Sequence, residues 1–171
     1  VGKDGFVCYD MKTSDYRGIL FNFWNDYWTE NKDIIPAVCY AIDRQAIIDA
    51  VLLGQGMSAY GPLQRNIYNN ENVEHYDYNP EKAKELLAEA GWKKGKDGLL
   101  ERDGKPFLFT ILVNQGNDSR IKAAIIIQSQ LKALGITVHI RTVEWAAFIK
   151  EFVNKGHFDA IILAWTITLD P

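Results

Sequence analysis

The chain has 171 residues, enough for one domain or one lobe of a larger protein. Its 47% hydrophobic and 24% charged residues are those of a folded globular chain and exclude wholesale disorder. A net charge of −3 excludes a basic nucleic-acid footprint. No apolar run reaches the roughly 18 residues of a membrane span; the longest, residues 158–169, is interrupted by Asp159, Thr166 and Thr168. The chain begins with Val1 and stops at Leu169-Asp170-Pro171, directly after that apolar segment, which reads as a piece excised from a longer protein.

Taken in order, the first third is rich in aromatic side chains. Residues 17–23 read as a strand, followed by an Asn25-Asp26 turn and a polar loop over residues 30–33. A helical block spans residues 34–53 in two pieces, with Asp43 as N-cap of the second and Gly54 and Gly56 as terminators. Residues 57–78 lack a sustained period and contain Gly61-Pro62, so a long ordered loop is expected there. Asn79-Pro80-Glu81 then opens the clearest helix, with Asn79 as N-cap, Pro80 at N1 and Gly91 just past its end. Leu99 and Leu100, between Asp97-Gly98 and Asp103-Gly104, indicate a small hairpin.

The last third alternates. Residues 107–113 read as a strand, 120–134 as a helix capped by Asp118, 136–142 as a strand, 144–154 as a helix and 158–165 as a strand. Two βαβ crossovers imply a largely parallel sheet flanked by helices, an α/β fold. The apolar run over residues 160–165 fits a central strand covered on both faces.

In such sheets ligands bind beyond the carboxyl ends of the strands. Those ends carry Asn114 with Gln115-Gly116-Asn117, Val143-Glu144, and Thr166 and Thr168 beside Trp165. No phosphate loop, dinucleotide fingerprint or nucleophile elbow is present. His75, His139 and His157 lack metal-ligand spacing, and no Cys-x-x-Cys pair exists, so no metal or other cofactor is expected. Cys39 lies in an apolar helical stretch and reads as a buried free thiol; pairing with Cys8 stays open. The five Trp and eight Tyr exceed the needs of one modest core and suit a ligand pocket or an interface.

Four segments in order carry a family resemblance: residues 40–56 (YAIDRQAIIDAVLLGQG), 78–92 (YNPEKAKELLAEAGW), 127–145 (IQSQLKALGITVHIRTVEW) and 158–165 (FDAIILAW), the last followed by Asp170-Pro171. With YRGILFNF at residues 16–23, they resemble the extracytoplasmic solute-binding proteins of peptide and nickel ABC importers, family 5. The resemblance implies a periplasmic-binding-protein type II fold, of which this chain matches the second of two lobes. It also implies an exported, often lipid-anchored protein that closes on its solute and docks on the permease subunits without covalent chemistry. The partners implied are a peptide or other small solute, the permease and the missing first lobe of the same chain. Trp165 matches a family Trp near the cleft. Where many peptide-binding members carry an Asp for the peptide ammonium, this chain has Thr168, with Asp170 the next acid. The candidate ligand-binding residues are therefore Trp165, Thr166, Thr168 and Asp170, with Asn114 and Asn22 beside them. A nickel chelate or an oligosaccharide remains open as the ligand, as does a sensor role; an α/β enzyme is the remoter reading.

Overall fold

The computed structural model describes Val7, Tyr9 and residues 13–63 and 68–166. Its elements are β1 (Asp15–Phe21), α1 (Asp26–Glu30), α2 (Ile35–Tyr40), α3 (Arg44–Leu52), α4 (Pro80–Glu89), β2 (Lys93–Lys94), β3 (Leu100–Arg102), β4 (Lys105–Pro106), β5 (Leu108–Asn114), α5 (Asp118–Ala133), β6 (Thr137–Val143), α6 (Trp145–Ala147) and β7 (Ala160–Thr166). A 3-10 turn, Lys32–Ile34, precedes α2, and the wide turns of Phe148–Val153 continue α6.

The main sheet has the order β1-β7-β5-β6, with β5 parallel to both β6 and β7 and β1 antiparallel to β7. It is the largely parallel α/β sheet that the alternation of the last third implies. Strand alternation divides its side chains between two cores. Phe109, Ile111, Val113, Val138, Ala160 and Ile162 join the larger core under α2, α4 and α5. Leu112, Ile161 and Leu163 face the smaller one, around the fully buried Phe148. β7 is thus covered on both faces, which is why its sequence is apolar almost throughout.

Local chemistry explains the element ends. Asp43 accepts a hydrogen bond from Ala46 N at 2.9 Å and starts α3. Asn79 accepts from Lys82 N at 3.0 Å, and Pro80 takes the first helical position. α3 ends at Leu52, and its C-cap Leu53, the residue before Gly54, adopts the left-handed conformation with φ 53°. The hairpin over residues 93–106 proves three-stranded, in the order β2-β3-β4. Its second turn, Asp103-Gly104, has positive φ at both residues, as a two-residue hairpin loop requires.

Three expectations need correction. The first strand runs Asp15–Phe21 rather than to residue 23, because Asn22 leaves the ladder for other partners. α5 is capped by Asn117, which accepts from Arg120 N at 3.0 Å, while Asp118 occupies the first turn. The helix over 144–154 is α-helical only at Trp145–Ala147. Glu144 caps it by accepting from Ala147 N at 3.1 Å, and wider π turns follow. Phe148, Phe152 and Val153, spaced by four and five residues, all reach the smaller core through those turns.

The amino-terminal edge of β7 is tied by a polar knot. The Asn22 amide donates to Gly156 O at 2.7 Å and Phe158 O at 2.8 Å, and its oxygen accepts from Trp24 N at 3.1 Å. The half-buried Asp159 carboxylate accepts from the Asn25 amide and from Thr110 N, both at 2.9 Å. Truncating Asn22 strands the Gly156 and Phe158 carbonyls and the Trp24 N–H, and truncating Asp159 strands the Asn25 amide and the Thr110 N–H. Asn22→Ala and Asp159→Ala are each expected to lower unfolding stability by about 1–3 kcal/mol, measured by denaturant titration, with the slope unchanged.

Candidate functional site

The carboxyl ends of β5, β6 and β7 and the amino end of β1 share one edge of the main sheet, because β1 runs antiparallel to β7. A cleft of about 1400 Å³ opens there, between β1 and β7, the start of α5, α3 and the segment over residues 54–63. Its floor is apolar, with Ile162, Ala164, Ala123 and Ile127, and its upper wall is polar.

Strand register decides what enters the cleft. On β1, Phe21, Ile19, Arg17 and Asp15 lie on one face, opposite Ala160, Ile162, Ala164 and Thr166 of β7. The first two join the larger core. The next two continue the same face into the cleft, so charged side chains stand where alternation alone would place apolar ones.

Among the described residues, three cations line the cleft: Arg17, Arg44 and Arg120. Arg120 is only 9% exposed. One guanidinium nitrogen donates to Asn114 Oδ1 at 2.6 Å, while its Nε is buried without a partner. Burial, and secondly the charge of Arg17, push the Arg120 pKa down. Arg44 donates to Tyr76 O at 2.5 Å and lies 5.8 Å from the Tyr60 ring centroid. Tyr60 stacks on His75 with ring centroids 3.7 Å apart and donates its hydroxyl to Asp77, which raises the phenol pKa. Among the described residues, the carboxylates in ion pairs belong to α4 and to Glu151, and none pairs with Arg17, Arg44 or Arg120.

The expected site residues separate into three groups. Trp165 and Thr166 border the cleft. The Thr166 hydroxyl donates to Asp15 Oδ1 at 2.9 Å. The Trp165 ring lies on the opposite face of β7 from Ala164, against the smaller core and 6.2 Å from the Tyr16 ring, so it forms a rim rather than a floor. Asn114 stands at the same edge, where its Oδ1 accepts from Arg120. Asn22 is corrected: it lies 5% exposed at the other end of the sheet, with its side chain committed to backbone partners. Thr168 and Asp170 lie outside the described residues, as do Cys8 and Arg65.

Sequence reading missed Asp15, Arg17, Arg44 and Arg120. The first two had a usable signal, since they share strand parity with Ile19 and Phe21. Arg120 had none: a lone Arg in the first turn of a helix ordinarily reads as solvent-facing. No group of three or more His, Cys, Asp or Glu gathers as metal ligands among the described residues.

A largely parallel α/β sheet with a cleft at its strand carboxyl ends, an apolar floor, and arginines that no described carboxylate ion-pairs, defines a ligand-binding module. The family model for bacterial extracellular solute-binding proteins, family 5 (middle region), matches residues 3–171, and the chain belongs to that family. It is 40% identical over 161 residues to the oligopeptide-binding protein AppA of Bacillus subtilis, covering 91% of this chain and 30% of that protein. The solved AppA structure, in complex with a nonapeptide, superposes with a TM-score of 0.83 over 93% of this chain and 32% of that one, at 38% identity. NikZ of Campylobacter jejuni, solved with Ni(L-His), gives 0.84 at 32% identity over 94% of this chain and 31% of its own. The chain therefore spans about a third of the length of the relatives it matches.

Cys39 is a half-buried free thiol at the cleft wall, and burial raises its pKa. Less thiolate means slower alkylation. In a Cys8→Ser background, Cys39 is expected to react with iodoacetamide at pH 8 about tenfold slower than a small-molecule thiol, recovering the ordinary rate in denaturant.

Proposed function

We propose that this chain is one lobe of an extracytoplasmic solute-binding protein that captures peptides between two lobes and delivers them to the permease of an ABC importer. The observation that carries this reading is the cleft, open along one side and about 1400 Å³ in volume, in a chain of this family. That exceeds the roughly 300–1,000 Å³ of ordinary small-molecule pockets, as a site for extended ligands would. The 40% identity to an oligopeptide-binding protein supports peptides as the solute. A half-open site fits a two-lobed design, in which contacts from the second lobe complete the ligand's surroundings and favour closure. The coverage of about a third of each relative agrees with a single lobe.

The mechanism is binding without bond-making. The apolar floor at Ile162 and Ala164 takes side chains, and the polar rim at Thr166 and Asp15 takes backbone groups or charge. The extracytoplasmic location, on the outer face of the cytoplasmic membrane or in the periplasm, follows the family. A second reading, capture of a metal–amino-acid complex, draws on the similarity to NikZ.

Native mass spectrometry of the full-length protein, purified without refolding, tests the assignment. A spread of adduct masses fitting short peptides is expected. A single mass fitting a metal complex overturns the peptide reading in favour of the second. The isolated 171-residue chain is expected to bind the same peptides weakly or not at all in calorimetry, and tight stoichiometric binding there would refute the two-lobed design.

A further inference from the structure

Residues 53–63 form no helix or strand, yet every residue from Gly54 to Leu63 lines the cleft. This strap is one wall of the cleft, and β1 and β7 supply another. Its start is tied to α3: Gly54 N donates to Ile48 O at 3.3 Å and Gln55 N to Leu52 O at 2.8 Å. Gly54 has a φ of 76°, and a side chain at Gly61 would meet nothing within 4 Å, so local backbone preference leaves the strap's course open.

Tyr60 supplies the second tie. Its ring stacks on the His75 imidazole with centroids 3.7 Å apart and planes 2° apart. Its hydroxyl donates to the Asp77 carboxylate, and the Arg44 guanidinium carbon lies 5.8 Å from its ring centroid. Stacking, a charge-assisted hydrogen bond and a cation–π contact thus favour one and the same ring position. The partners are themselves anchored. Tyr76, between His75 and Asp77, accepts from Arg44 through its carbonyl at 2.5 Å and packs edge-on against Tyr40 at 5.3 Å. Asn79 N donates to Tyr40 O at 2.8 Å, and the Asn79 side chain caps α4. Residues 75–79 are therefore fastened to α2, α3 and α4, and Tyr60 fastens the strap to them. His75 and Asp77 stand outside the cleft lining.

We infer that Tyr60 is a latch: clamped by His75, Asp77 and Arg44, it fixes the strap over residues 54–63 and so sets how bulky a ligand side chain the apolar floor admits. A wall held in place excludes groups too large for the gap, and a wall free to move admits them. His75 and Asp77 are positioning residues, acting on the ligand only through the strap. The inference rests on the solute-binding reading and adds a determinant of its selectivity.

Because Tyr60 itself lines the cleft, the test removes its partners instead. In the full-length protein, the double variant His75→Ala, Asp77→Ala is compared with the wild type by hydrogen exchange. Amides of residues 54–63 are expected to exchange at least about tenfold faster, with those of β5 unchanged. Both proteins, freed of bound material in denaturant and refolded, are then incubated with two pentapeptide mixtures and weighed by native mass spectrometry. One mixture contains only Ala, Ser and Val. The other carries one Trp per peptide. The retained ratio of Trp-bearing to small peptides is expected to rise at least about fivefold in the double variant. His75→Phe, which keeps a planar partner for Tyr60, is expected to hold the wild-type ratio within about twofold. Unchanged exchange in the double variant overturns the latch. Faster exchange with an unchanged ratio overturns its role in selectivity. If the wild type retains neither mixture, the peptide reading fails, and the latch is judged by the exchange rates together with retention of nickel–tryptophan against nickel–histidine.

Discussion

The antiparallel ladder between β1 and β7 is the contact on which the rest depends. It pairs Asp15 with Thr166 and Phe21 with Ala160, joining stretches nearly 150 residues apart in sequence. Closing so long a loop is entropically costly, and the ladder must be held by more than its own hydrogen bonds. Ile19 and Phe21 hold it on one face through the larger core, with Phe21 packed 4.6 Å from the Trp28 ring. At its lower end the Asn22, Asn25 and Asp159 knot stops the strands from sliding, since a slip of one residue would turn every β1 side chain to the wrong face.

That register carries the function as well as the fold. One face of β1 passes from Phe21 and Ile19 in the core to Arg17 and Asp15 in the cleft within seven residues. The cleft is therefore an extension of the core's own surface, lined by the same strands, with charge replacing hydrocarbon at the end that meets solvent. Because β1 is antiparallel, its start meets the carboxyl ends of the parallel strands. Asp15 and Thr166 bond directly as a result. A parallel β1 would have sent those charges to the opposite edge and left the cleft without a cationic wall.

Much of this was legible beforehand because it is local. Asp43, Asn79 and Pro80 mark helix starts through bonds made within three residues, and the apolar run of β7 reports burial on both faces. Asn117 and Asp118 are both competent caps, and the choice turns on backbone angles that composition does not encode. The wide turns over Phe148–Val153 answer to tertiary packing around Phe148, which spacing alone does not reveal. The surroundings of Asn22 and Arg120 are hidden from sequence for a common reason. A polar residue at a strand end reads as available for a ligand, and a cation in a first helical turn reads as solvated. In each case the deciding partner, Gly156 for Asn22 and Asn114 for Arg120, is visible only once the chain is folded.

The electrostatics of the cleft run against those of the chain. The net charge is −3, yet among the described residues the cleft holds three arginines, while the ion-paired carboxylates lie on α4 and at Glu151. Exposed pairs of that kind contribute little to stability. Within the cleft the described acids, Asp15 and Glu74, accept from Thr166 and Tyr76, and neither forms an ion pair with the buried Arg120. Arg120 is thus a place where a buried cation makes the protein less stable than an apolar side chain of similar volume would.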